Sequence, residues 1–343
     1  MYENYKGIDI GKIIAALLIV LLHATECSDY LASEIKFTLT RFAVPFFFIT
    51  SGYFLAKGLE NKGEKAKYEY IKKYILKLVK LYVIWALIIY LPFTIYSYSN
   101  LPQYKNAENW YFISVLLRKL LIVGPGPYWF ILALIGGSIW CYCTRNKTKV
   151  MTVTMLVTFL LMILYTNFRC ITNDFLFLKA FYKSIDILYS WEFNFLTYGI
   201  PFCSLGYLIR KKKISLTLNV AAIGFILFSG ARFVEFIYLF DHKFSISYIP
   251  QAICFFYIFL NYTPNLSERS SRKIRSLSSF IYFSHAILLY NILNPILIWI
   301  GVNNPYAPIA ILPKTVFITL VCYLLYAHIN KYKSPIAKLL VNG

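Results

Sequence analysis

The feature that most constrains this chain is a series of apolar runs, each close to the thickness of a membrane, separated by clusters of lysine and arginine. A helix needs ~20 mostly apolar residues to cross ~30 Å of hydrocarbon. Ten stretches read as spans: residues 8–27, 41–56, 81–98, 128–144, 150–166, 193–209, 214–240, 248–262, 277–300 and 309–329. The runs are continuous rather than alternating, which excludes a β-barrel. The chain is 59% hydrophobic and 15% charged, where soluble domains run nearer ~45–50% and ~25%. A soluble enzyme, a disordered chain and a disulfide-stapled secreted domain are excluded. The expectation is an all-α, polytopic integral membrane protein of about ten transmembrane helices, a single transmembrane domain over residues 1–343.

The basic clusters give the orientation. They crowd alternate connections: Lys57 to Lys80, residues 145–149, 210–213 and 269–275, and the stretch after Asn330. Positive residues mark the cytoplasmic side, so both termini read as inside the cell membrane, with an even number of spans. The net charge of +20, from 35 Lys+Arg against 15 Asp+Glu, then reflects topology and contact with anionic lipid rather than nucleic acid. The seven cysteines lie mostly in or beside apolar runs without zinc spacing, so no metal is expected. The first run, Ile13–Leu22, could pass for a signal peptide. His23 and Glu26 interrupt it and no small-x-small site follows cleanly, so it reads as a retained helix. No internal repeat is visible, which disfavours inverted-repeat transporter folds. Trp110–Leu121 reads as an amphipathic helix at the outer interface.

The first helix carries the most chemistry. Asp9, Lys12, His23 and Glu26 stand in an otherwise apolar run. Lys12 and His23 are separated by three turns plus ~20°, so they share a face ~16 Å apart along the axis, with Asp9 and Glu26 adding to the stripe. Ionisable groups in a span are costly and commonly face a cavity or bundle interior. The plainer account has Lys12 snorkelling to headgroups, or pairing with Asp9 one turn away, and His23 as a satisfied interfacial histidine.

The second span, RFAVPFFFITSGYFL, begins with Arg41 near the outer end. Arg41 is placed to meet a polar or anionic acceptor, or headgroups. Pro45 is expected to break or tilt the helix, and Ser51-Gly52 to permit close helix approach. Lys72, Lys73, Lys77 and Lys80 lie on a helix entering the membrane from the inner loop, three of them on one face. Such a cluster could hold phosphates or simply follow the positive-inside rule. His285, with Tyr282 one turn away, is a second intramembrane imidazole, for which a packed core histidine is the plainer account. Arg232 and Glu235 read as an i,i+3 intrahelical pair. His242 and His328 read as interfacial. Gly124–Pro127 reads as a sharp re-entry turn, and no nucleotide-binding motif appears.

These residues resemble acyltransferase family 3, a family of integral membrane acyltransferases. GID-x-x-K followed eleven residues later by His23, and then RFAVPFFFITSGYFL, is similar to the family's opening two helices. Tyr128-Trp129-Phe130, Gly199–Leu208 (GIPFCSLGYL) and Ser279–Ala286 (SFIYFSHA) resemble its later segments. The resemblance implies a ten-helix protein that takes an acyl group, acetyl by default, from cytoplasmic acyl-CoA and passes it to a hydroxyl. The acceptor would be a cell-envelope glycan or small polar molecule. It implies His23 as the essential histidine, acting as general base or acyl carrier, and Lys12 as the essential basic residue, where arginine is commoner. It implies CoA phosphate contacts at Lys72, Lys73, Lys77 and Lys80. The family often has arginines and a proline there; this chain has lysines and Leu81, which weakens bidentate phosphate binding. Arg41, Glu26, Asp9, Tyr128, Trp129 and His285 are the candidate substrate contacts.

The family also supplies the membrane half of membrane-bound serine racemases, ahead of a soluble pyridoxal-phosphate domain. That implies an alternative: delivery of a small amino acid such as L-serine to a racemase partner. The end at Lys338–Gly343 suits a natural terminus and an excised membrane half equally.

Overall fold

The computed structural model describes residues 5–24, 30–99, 109–167, 174–189, 194–238, 245–302, 304, 310–332, 334, 337–338 and 340. Helix α1 (Lys6–Ala24) is followed by α2 (Tyr30–Thr40), α3 (Ala43–Leu59) and α4 (Glu64–Tyr82). A π-helical segment (Val83–Ile89) leads to α5 (Leu91–Ser99). Then α6 (Asn109–Arg118) runs into a second π segment (Lys119–Val123) and a 3-10 turn (Gly126–Tyr128). Beyond it come α7 (Trp129–Cys143), α8 (Thr148–Asn167) and α9 (Leu176–Tyr189). A third π segment (Phe195–Gly199) opens α10 (Ile200–Lys211), before α11 (Leu218–Tyr238), α12 (Tyr248–Asn261) and α13 (Glu268–Ala286). A fourth π segment (Ile287–Leu293), α14 (Asn294–Trp299) and α15 (Ile311–Ile329) complete the order.

Every expected span has helix within it, but fewer are uninterrupted membrane-length helices. Among the described residues, six helical stretches are long and apolar enough to cross: Lys6–Ala24, Ser33–Leu59, Gly126–Cys143, Leu218–Glu235, Glu268–Trp299 and Ile311–Ile329. Thr148–Leu164 and Tyr248–Asn261 are apolar but shorter. The expected spans at 81–98 and 193–209 are each divided by a π segment and are not among these six, whereas Glu268–Trp299 is of membrane length although it too contains one.

Proline accounts for those divisions. A proline inside a helix clashes with the carbonyl four residues back and supplies no N–H. Pro92, Pro201 and Pro295 each follow a π segment by two or three residues. In each of these the residue four back (Ile88, Thr197 or Asn291) lies inside that segment. The wider i→i+5 turn moves the offending carbonyl away. Pro45 behaves differently. The helix breaks upstream of it, at Arg41-Phe42, and Pro45 sits in the first turn of α3, where a missing N–H costs nothing.

The chain forms two compact units, residues 1–50 with 213–343, and residues 51–212. In the first, α1 packs along α13, with α15, α12 and α2 also against it, while α11 pairs with α12. Between helices in lipid the attraction is close packing rather than a hydrophobic drive. Gly7 provides it: a Cβ there would overlap the carbonyl oxygens of Phe259 and Tyr262 on α12's C-terminal end. Phe42, Phe46, Phe225 and Phe255 interlock beside this contact at centroid distances of 4.8–5.8 Å. In the second unit α10 packs on α7 and α8, and α4 packs on α7. Gly52 makes the expected close approach, its Cα lying against the Cys203 carbonyl.

Candidate active site

The site is built where the last turn of α1 meets α13 and the π segment after it. His23 lies one residue before the end of α1. Its Nδ1 is 3.1 Å from the Tyr290 hydroxyl, and the same hydroxyl donates to the His23 carbonyl oxygen at 3.3 Å. The imidazoles of His23 and His285 stack, with centroids 5.4 Å apart and planes inclined by 27°. The structure therefore brings together the two intramembrane histidines singled out in the sequence, and adds a tyrosine.

His285 is fully buried. Its Nδ1 lies 2.7 Å from the Tyr282 carbonyl oxygen and 3.2 Å from that of Ile281. Carbonyls only accept, so Nδ1 carries the hydrogen and Nε2 keeps its lone pair. Among the described residues that buried Nε2 has no hydrogen-bond partner. His285 is thus held like a core histidine on one edge and left with an unused acceptor on the other.

Tyr290 escapes an α-helical reading of the sequence. Five residues of α-helix turn ~500°, which would leave Tyr290 ~140° around the axis from His285. The π segment, which begins at Ile287 and has more residues per turn, lessens that offset. His285 and Tyr290 both meet His23. The cue was Pro295, two residues beyond the segment.

At the other end of α1, Asp9 is buried and clamped. Arg275 on α13 donates from Nε to Oδ1 at 2.9 Å and from Nη2 to Oδ2 at 2.8 Å, and Ser271 donates to Oδ2 at 2.6 Å. This bidentate tie, absent from the sequence reading, fixes the register of α1 on α13 and thereby the meeting of His23 with His285. Lys12 lies half-buried on α1 between the two ends. Glu26 lies outside the described residues, as does His242.

The Arg41 guanidinium lies 4.1 Å over the Phe37 ring. The same unit holds a buried polar network. Arg232 donates from Nη2 to Glu34 at 2.5 Å and from Nε to the Tyr248 hydroxyl at 2.9 Å. Glu235 instead accepts from Ser245 and from Ser247, whose Oγ donates at 2.6 Å. The expected Arg232–Glu235 pair is therefore corrected: both side chains turn to other helices and loops, where each finds a better-placed partner than its helical neighbour. A further buried pair, Lys314 donating to Asn294 at 2.8 Å, also went unread.

In the second unit, Lys72, Lys73, Lys77 and Lys80 are all exposed on α4. The start of α4 is tied by Glu64, which accepts from Lys67 at 2.9 Å and from Arg145 at 2.5 Å. The Lys67 hydrogen bond, then that from Arg145, hold the Glu64 carboxyl down at about 2. Arg210 grips Glu60 with two bonds of 2.7 and 2.6 Å. Tyr128 is buried against Tyr90, and Trp129 sits edge-on to Tyr198 at 5.5 Å, so both serve the packing of this unit. Gly124–Pro127 forms the turn expected before them.

Residues 5–327 match the profile of the acyltransferase domain family, acyltransferase 3, and the chain belongs to that family. It is a multi-pass membrane protein of the acyltransferase kind. It is 27% identical over 303 residues to a serine/alanine racemase of Enterococcus gallinarum, covering 82% of this chain and 40% of that protein. An amino-acid racemase of Enterococcus faecalis is 26% identical over 312 residues, 84% of this chain and 42% of its own length. The chain thus spans about two fifths of the length of the curated relatives it matches. No solved structure matches it.

Proposed function

We propose that this protein transfers an acyl group, acetyl by default, from acyl-CoA at the cytoplasmic face of the cell membrane to a hydroxyl of an extracytoplasmic glycan or small polar acceptor. His23 is the general base. The observation that carries the reading is the His23 imidazole, oriented by Tyr290 and His285 at the end of an apolar helix in a chain of this family. Transfer to a hydroxyl needs a base near neutral pKa, and histidine supplies it. The family supports the class of reaction; donor and acceptor are our assignments. The lysines of α4, exposed on its surface, are assigned to the donor's phosphates, and Arg41 to the acceptor. Asp9 is removed from the substrate contacts because Arg275 and Ser271 already occupy its carboxylate.

The racemase names of the relatives favour a second reading, in which the chain delivers a free amino acid such as L-serine to a racemase partner. Thermal unfolding of the detergent-purified protein separates the two. A ligand that binds only the folded state adds RT ln(1 + [L]/Kd), ~2.7 kcal/mol at a hundredfold excess over Kd. Acetyl-CoA is expected to raise the unfolding temperature and L-serine to leave it unchanged. His23→Ala is expected to unfold at a similar temperature yet transfer no radiolabelled acetyl group to membrane fractions. Stabilisation by L-serine alone would overturn the acyl-transfer reading.

A further inference from the structure

We infer that Tyr290 is a positioning residue that fixes the tautomer of His23 and so decides which of its ring nitrogens is the base. The inference deepens the acyl-transfer reading and rests on it for its catalytic consequence. The structural part stands on its own.

The Tyr290 hydroxyl donates to the His23 carbonyl oxygen at 3.3 Å. A carbonyl can only accept, and a tyrosine has a single hydroxyl hydrogen. With that hydrogen assigned to the carbonyl, the phenol oxygen faces His23 Nδ1 at 3.1 Å as an acceptor. Nδ1 must then bear the hydrogen. The lone pair of neutral His23 lies on Nε2, and that nitrogen is the base.

The other side of the ring fits this assignment. His285 stacks on His23, and its own hydrogen is likewise on Nδ1, held by the Tyr282 and Ile281 carbonyls. The two neighbours grip the His23 ring through its face and through Nδ1, leaving Nε2 to the substrate. In the reaction the acceptor O–H gives its proton to Nε2 as its oxygen bonds to the thioester carbon. The carbon–sulfur bond breaks, and the thiolate takes the proton from Nε2 to leave as the free thiol. Through the cycle Nδ1–H stays on the Tyr290 oxygen, which stabilises the transient imidazolium.

The test is Tyr290→Phe, which keeps the ring and removes the hydroxyl. Hydrogen-bond partners that orient metal-bound histidines are worth 10–100-fold, and the same order is expected for Tyr290. The transfer of radiolabelled acetyl from acetyl-CoA to membrane fractions is expected to lose kcat by about that factor, with KM for acetyl-CoA changed less than about twofold. Nitrogen NMR of the histidine-labelled full chain, with the His23 signal assigned by its loss in His23→Gln, reads the tautomer without any substrate. The expected result is a hydrogen on Nδ1 in the wild type and a mixture in Tyr290→Phe. A wild-type hydrogen on Nε2, or an unchanged kcat in Tyr290→Phe beside an inactive His23→Ala, overturns the inference. If His23→Ala transfers as well as wild type, the acyl-transfer reading fails instead, and the NMR result still decides the role of Tyr290.

Discussion

Arg232 and Glu34 form a buried ion pair. Their side chains are 2% and 3% exposed and meet at 2.5 Å. Two buried charges hold each other's desolvation in check, and removing one leaves the other uncompensated, at a cost of about 3–5 kcal/mol. Glu34→Gln is therefore expected to lower the unfolding temperature of the detergent-purified protein sharply. The double variant Glu34→Gln/Arg232→Met, which removes both charges, is expected to recover part of the loss. If the double variant is as unstable as the sum of the two singles, the pair is not coupled as the geometry implies. This pair also shows what single-residue reading could and could not find. The sequence shows Arg232 within a span, but it offers only the neighbour at i+3 as a partner. Glu34 lies 198 residues away. The same limit hid Arg275, whose bidentate hold on Asp9 joins positions 266 residues apart. By contrast, Lys12 and His23 stood out because their cost is local: an ionisable group in an apolar run needs no partner in view to be conspicuous.

Helices were largely legible from the sequence because each apolar run is continuous and bounded by charge or proline. Their interruptions were not, because hydropathy is blind to the difference between an α turn and a π turn. Yet the cause was present in Pro92, Pro201 and Pro295, each just beyond a π segment. The consequence at the site is specific: the segment Ile287–Leu293 carries Tyr290 round to His23. Replacing Pro295 with alanine restores the N–H and removes the clash with the Asn291 carbonyl, so the segment is free to relax to α. Relaxation would swing Tyr290 by about 100° relative to His285, one residue's worth of helix rotation. Pro295→Ala is expected to keep or raise thermal stability, since proline is the costliest residue in a helix interior, while acetyl transfer falls towards the level of Tyr290→Phe. Undiminished transfer would mean that the π turn is held by packing and not by the proline.

At the scale of the whole molecule, orientation decides what the site can act upon. His23 is 17 residues along α1 from Lys6, a rise of ~25 Å, so the imidazole lies near the membrane face opposite the N-terminus. The lysine-rich connection between α3 and α4 and the basic residues at 145–149 and 210–213 argue that the N-terminal face is cytoplasmic. On the proposed reading the imidazole lies towards the outer face, where an extracytoplasmic acceptor would meet it. The opposite orientation would place the same base beside the cytoplasm, out of reach of an envelope glycan. Single cysteines in a cysteine-free background test this. Lys65→Cys, on the exposed first turns of α4, and Phe177→Cys, 79% exposed on α9, are expected on opposite faces. A membrane-impermeant maleimide applied to intact cells should label the Phe177→Cys protein and spare the Lys65→Cys protein, which labels only after the membrane is opened. The reverse pattern would overturn the assignment of an outside acceptor while leaving the geometry of His23, His285 and Tyr290 intact, and the search for the acceptor would move to hydroxyls of the cytoplasm.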